Sequence, residues 1–326
     1  MRAPGPLLGL AAVVAAAVLA AAPSATRADA PAPFEVFLHT GVPLGDVVWT
    51  GQMFLYATET TGKFYASDAL GGNFRLFASV PSEVEEMRCR LSPGRHGFAR
   101  GAVYCHSPGN LIYRLDPNGD ATVVARLPEA GPSDGSMTFD TRGAFGYALL
   151  AATGGSSDTP GGGNVYAVRA DGAVRLVGRY PGPGGADNVA IAPRRFGGLG
   201  GWLLLTIDQP SKEGRVLAVS PRGRVTVVAR GLGDGLNPIA VVAGLRAGAA
   251  SPRPGFYVVD TNTTNVYFAP AASFRGFVGG VIVGTELHAR FWVVRARGKG
   301  FQAVPLETGL DPGFKFNFEG ATWVGR

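Results

Sequence analysis

Residues 109–128 read GNLIYRLDPNGDATVVARLP. Two runs of alternating apolar and polar residues flank a turn that contains glycine, the signature of a β-hairpin. The pattern returns at 163–181 as GNVYAVRADGAVRLVGRYP and at 214–232 as GRVLAVSPRGRVTVVARGL. A looser copy stands at 62–81, GKFYASDALGGNFRLFASVP. The copies begin at 62, 109, 163 and 214, a spacing of about 50 residues that falls in the range of propeller blades.

Another pair of strand-like runs precedes most of these hairpins. DVVWTG (46–51) is followed by FLYATE (54–59), GSMTFD (135–140) by YALLAATG (147–154), and NVAIAP (188–193) by GWLLLTID (201–208). In a fifth unit PIAVVAG (238–244) leads into GFYVVDT (255–261). Four strands per unit predict an all-β chain, a β-propeller of four-stranded antiparallel blades with the first strand of each innermost. Six blades are expected and seven are the alternative, because 279–324 holds one more blade of strand in an irregular order. FEGATWV (318–324) as an inner strand, or FEVFLH (34–39) joining the last blade, would close the ring and cover its exposed edges.

Composition bounds the remainder. Residues 1–30 carry Arg2, an apolar run from Leu7 to Ala22 broken only by Gly9, and Ala28-Asp29-Ala30. That order of features is a secretory signal peptide with its cleavage site, and the apolar run is shorter than the ~20 residues of a spanning helix. Residues 31–326 then form a single propeller domain, expected to be secreted or periplasmic and monomeric, with no transmembrane segment. The net charge is +6, but the basic residues are scattered without interleaved aromatics, which argues against nucleic acid as a partner. The two cysteines, Cys89 in EEMRCRL and Cys105 in GAVYCHS, lie on neighbouring strand-like runs. In an exported chain they are expected to form a cross-strand disulfide.

The starts of the inner strands carry the candidate chemistry. Aligned, they place Glu86, Asp134, Asp187 (with Asn188 behind it), Asn237 and Glu319 at equivalent positions. A propeller gathers such positions around its channel. Converging carboxylates and amide oxygens suit a hard divalent cation, calcium in particular, which takes about 6–8 oxygen ligands. Turn capping is the competing reason for Asp and Asn at strand starts. His106 and His288 are further polar side chains that would line the channel mouth. No G-x-S-x-G elbow and no zinc spacing of histidines is present.

The short motifs Glu319-Gly320-Ala321-Thr322-Trp323, Asp134-Gly135-Ser136-Met137 and Asn237-Pro238-Ile239-Ala240 resemble signatures of the gluconolactonase, senescence-marker-protein and NHL-like six-bladed propellers. The resemblance implies one divalent metal held by Glu319, Asn237, Asp187 and Asp134. It also implies hydrolysis of lactones or related esters; from the residues themselves, Glu86, Asp134 or Asp187 is the candidate general base, and Asn188, His106 and His288 are candidates to face the substrate, an ordinary polar histidine being the alternative for the last two. The second reading is a non-catalytic propeller that binds a glycan, a peptide or a partner protein at one mouth, since propellers host both kinds of function.

Overall fold

A computed structural model describes residues 32–80, 86–129, 135–154, 162–208, 214–244 and 252–325. The expected signal peptide, residues 1–30, and Asp134 lie outside these residues. Six four-stranded antiparallel sheets form the fold, as expected. The inner strands are Leu44–Trp49, Arg88–Leu91, Ser136–Phe139, Ala186–Ile191, Leu236–Val241 and Phe318–Val324. Each touches the next, and the last touches the first, so the ring is closed.

The quoted hairpins form the two outer strands of blades one to four. Their turns are alike. Gly71, Gly119, Gly172 and Gly223 all have positive φ, and each N–H returns to the carbonyl three residues back, at Asp68, Asp116, Arg169 and Ser220. Glycine recurs there for a second reason. A Cβ on Gly119, Gly172 or Gly223 would lie 2.8, 2.4 or 2.6 Å from the carbonyl oxygen of Phe77, Val124 or Val177 in the outer strand of the preceding blade. The turn glycine is thus also a blade-to-blade contact.

The fifth unit departs from the expected order. Leu236–Val241 does not pair with Gly255–Asp260; it pairs with Val281–Thr285, followed outward by Phe291–Arg297 and Gly300–Leu306. The hairpin Gly255–Asp260 and Asn265–Pro270 belongs to blade six, between the C-terminal strand Phe318–Val324 inside and the N-terminal strand Glu35–His39 outside. The link from Val241 to Gly255 is too long for a hairpin and is instead a crossing between blades. Both proposed ring closures therefore occur together, in one blade. Register supports them: Tyr257 faces Thr322 and Val36 faces Tyr267.

Apolar side chains on both faces of the blades fill the spaces between sheets. Phe34, Phe256, Phe291 and Phe318 form one inter-blade core around the closing blade, and Val48, Phe64, Met87 and Cys105 lie in another between blades one and two. Cys89 and Cys105 sit directly opposite one another in blade two and form a disulfide.

Replacing Gly172 by alanine is expected to destabilise the fold by about 2–3 kcal/mol, combining left-handed strain with the clash at Val124. Gly146→Ala, at φ +77° with nothing within 4 Å, should cost only about 1 kcal/mol. Denaturant melts of the two variants check this difference.

Candidate functional site at the acidic channel mouth

Alternation along Met87-Arg88-Cys89-Arg90-Leu91 decides what enters the channel. Met87, Cys89 and Leu91 pack into the inter-blade core. Arg88 and Arg90, on the opposite face, are directed to the polar interior of the ring. Arg88 is completely buried. Its Nη2 donates to Glu319 Oε2 at 2.6 Å and lies 3.7 Å from Glu86 and 3.8 Å from Asp187. Nη1 donates to the Gly45 carbonyl at 2.9 Å. Burial works against the charge of this guanidinium, but Glu319, Glu86, Asp187 and Glu59 outweigh it, so the pKa is raised and Arg88 stays ionised.

Around Arg88 stand two groups of three carboxyl groups, Glu59 with Glu86 and Glu319, and Asp187 with Asp208 and Glu286. Within each group one oxygen per residue lies within 4.8 Å of the others. Burial, reinforced by Glu59, holds the Glu319 carboxyl well above the usual carboxylate range. Burial, then repulsion from Asp208, pushes Glu286 up to about 8.

The structure thus brings Glu86, Asp187, Asn188, Asn237 and Glu319 to one mouth, but not as a single shell. Glu319 and Asp187 fall in different carboxylate groups, with Arg88 between them. Asn237 donates through Nδ2 to Glu319 and accepts from Asn188 Nδ2 at 2.7 Å. Asn188 Oδ1 in turn accepts from Arg90 Nη2 at 2.8 Å, and Arg90 Nη1 donates to buried Asp46 at 3.0 Å. These contacts make a polar column from Glu319 to Asp46. Gly320 fits the column because a Cβ there would lie 1.9 Å from Asp46 Oδ1.

The histidines separate. His288 is exposed, with Nε2 3.7 Å from Asp234. His106 is fully enclosed instead of open to the mouth, because Gly135 packs on its ring, where a Cβ would come within 3.2 Å. Burial lowers its pKa to about 4, so it is neutral at pH 7.

Sequence reasoning missed Arg88, Glu59, Asp208 and Glu286. The three acids share a signal. Each is the residue immediately after the second strand of its blade, behind Phe54–Thr58, Leu203–Ile207 and Val281–Thr285. They form a second layer of polar positions beside the inner-strand starts.

The donor set, six carboxylates of hard oxygen character, fits a divalent cation beside Arg88 in either group. Asn237 is less suited as a ligand, since its amide is already engaged by Glu319, Asn188 and Arg88. No protein-family model and no curated protein matches the chain.

Two outcomes follow from this geometry. Arg88→Met strands Glu319 in a buried site and should cost about 3–5 kcal/mol, while the double variant Arg88→Met/Glu319→Gln should recover much of that loss in a thermal melt. The Glu286 carboxyl titrates near 8 in the folded chain against an ordinary value of 4.5. Between these values the folded chain keeps a proton that the unfolded chain has lost, so this stabilisation is present below pH 4.5 and is lost as pH rises toward 8. The melting temperature in chelator should fall over that window, and Glu286→Gln should flatten the slope.

Proposed function

We propose that this propeller is an exported, divalent-cation-dependent hydrolase of lactones or related esters, working at the acidic channel mouth. The observation that carries the reading is the gathering of two carboxylate triads at the end of one channel. Burial, and after it the like charges of Glu59 and Asp208, raises the pKa of Glu319 and Glu286, and a cation would relieve the repulsive part. The motif resemblance to gluconolactonase-like propellers supplies the reaction class. The disulfide between Cys89 and Cys105 is compatible with an extracytoplasmic site.

In this reading Glu59, Glu86 and Glu319, or Asp187, Asp208 and Glu286, hold the cation. A bound divalent ion supplies Lewis-acid polarisation of a carbonyl and acidifies a water molecule. The chain itself supplies the proton chemistry. With the cation in the Glu59, Glu86 and Glu319 group, Glu286, with a pKa near 8, holds its proton at pH 7 and is tuned for general acid–base transfer at the mouth. Arg88 fixes Glu319 and Gly45 by direct hydrogen bonds, and so keeps the ring of inner-strand starts in position without entering the reaction.

One observation favours the non-catalytic reading. Arg88 already compensates part of the negative charge, so the mouth can persist without metal and bind a glycan, a peptide or a cationic group of a partner.

Metal analysis of the mature protein, with melting curves in calcium and in chelator, tests the proposal first. One or two equivalents of cation are expected, with a stabilisation by calcium that grows as pH rises, because binding requires deprotonated carboxylates. Glu319→Gln should abolish that stabilisation. In a lactone and ester screen Glu286→Gln should lower kcat by about 10²-fold or more. No bound cation and no calcium shift would overturn the metal-dependent reading, and bound cation without turnover would favour the binding module.

A further inference from the structure

The inner strands change character along their length. Their starts are polar, as described above. At the opposite end the last residues of the six inner strands surround a common opening: Leu91, Phe139 and Ile191 send their side chains into the inter-blade cores beside it, while Trp49, Val241 and Trp323 stay partly exposed. They line a cavity of about 520 Å³, well within the range of small-molecule sites, roughly 300–1,000 Å³. Trp49, packed on Phe54, and Trp323, packed on Phe274, each add the partly exposed side of an indole to its walls. Such walls suit a flat or extended apolar body.

Two arginines reach this cavity, and they give it a sign. Arg90 lines its wall. It has five N–H groups, of which three are used, by Asp46, the Cys89 carbonyl and Asn188. The remaining two have no acceptor among the described residues. Arg142 stands at the rim, exposed, and makes no ion pair among the described residues.

The loops next to the opening have the same sign, and the nearest outer-turn carboxylates, Asp116 and Asp171, lie further out beside Arg100 and Arg169. The described connections that leave the inner strands of blades two, three and four carry five exposed arginines, at positions 95, 100, 142, 194 and 195. Their only acidic residue is Asp140, which is buried and whose carboxylate accepts from the backbone N–H groups of Arg142, Gly143, Phe145 and Tyr147. Its charge is thus turned inward. The two mouths of one channel therefore carry opposite charge, carboxylates at one and arginines at the other.

We propose that the arginine-rich mouth is a second binding site, for a small amphipathic monoanion, a carboxylate or sulfonate on an aromatic or short alkyl body. The apolar body lies against the partly exposed Trp49, Val241 and Trp323, and the acid group is met by the free N–H groups of Arg90 and by Arg142. An apolar cavity with a few placed polar donors is the usual build of such a site. The basic rim draws anions to it. The site uses no residue of the carboxylate triads, so it stands or falls independently of the metal-dependent reading.

Titration of the folded full-length mature protein with 1-anilinonaphthalene-8-sulfonate, followed by energy transfer from tryptophan, tests the assignment. Saturable binding near one equivalent is expected, unchanged by chelator, with the neutral analogue N-phenyl-1-naphthylamine at least tenfold weaker. Arg142→Glu, on an exposed side chain, and Val241→Glu, which places a carboxylate in the half-buried wall, should each weaken the anion at least tenfold while leaving the melting temperature close to that of the parent. Absence of saturable binding, equal affinity for the neutral analogue, or full affinity in both folded variants would overturn the proposal.

Discussion

A single guanidinium holds the centre of this ring. Arg88 is buried completely, on an inner strand of blade two, and reaches residues delivered by blades one, four, five and six: Gly45, Asp187, Asn237 and Glu319. Such a position is costly unless the charge is both paired and hydrogen-bonded. Glu319 satisfies the pairing at 2.6 Å, and the carbonyl and amide oxygens satisfy much of the remainder. The consequence is mutual. The carboxylates keep Arg88 ionised, and Arg88 lets several acids share one mouth. Because these contacts cross the channel, they tie blades that do not pair with one another in any sheet.

The axis of the channel is also an axis of chemistry. From Glu319 through Asn237, Asn188 and Arg90 to Asp46 the hydrogen bonds form a continuous polar column. Beyond it the same strands end in apolar side chains. A strand of four to seven residues can do this because it runs from one end of the channel to the other. Its first residues therefore serve one mouth and its last residues the other. Carboxylates crowd the first mouth, where burial and then their like charges raise the pKa of Glu319 and Glu286, while arginines border the second.

Ring closure has a comparable economy. The first and last described strands both lie in blade six, on opposite sides of the hairpin Gly255–Asp260 and Asn265–Pro270. Without both ends of the chain that hairpin would expose two edges, and an isolated hairpin is marginally stable at best. The crossing that carries the chain from blade five to blade six and back, over the short helix Ala271–Phe277, interlocks the last two blades.

The order of apolar and polar residues, with the spacing of turn glycines, was enough to specify blades, strands and hairpins, because those features depend on neighbours within about 50 residues. The repeated glycine was legible as a turn, and alignment of the inner-strand starts made Glu86, Asp187, Asn237 and Glu319 legible as a ring. Cys89 and Cys105 were legible as a pair because they occupy adjacent strands. What the sequence could not show is which side chains meet across the channel. Arg88 looked like one more charged residue in an alternating run, since nothing local marks it as the partner of Glu319, 231 positions away. Glu59, Asp208 and Glu286 come from loops that only the closed ring brings beside the inner strands. The exchange of hairpins between blades five and six was equally hidden, because pairing between distant strands is settled by competing registers and packing and not by any one segment. Tertiary structure alone thus divided the acids into two groups, set a guanidinium between them, and gave the two ends of the channel opposite charge.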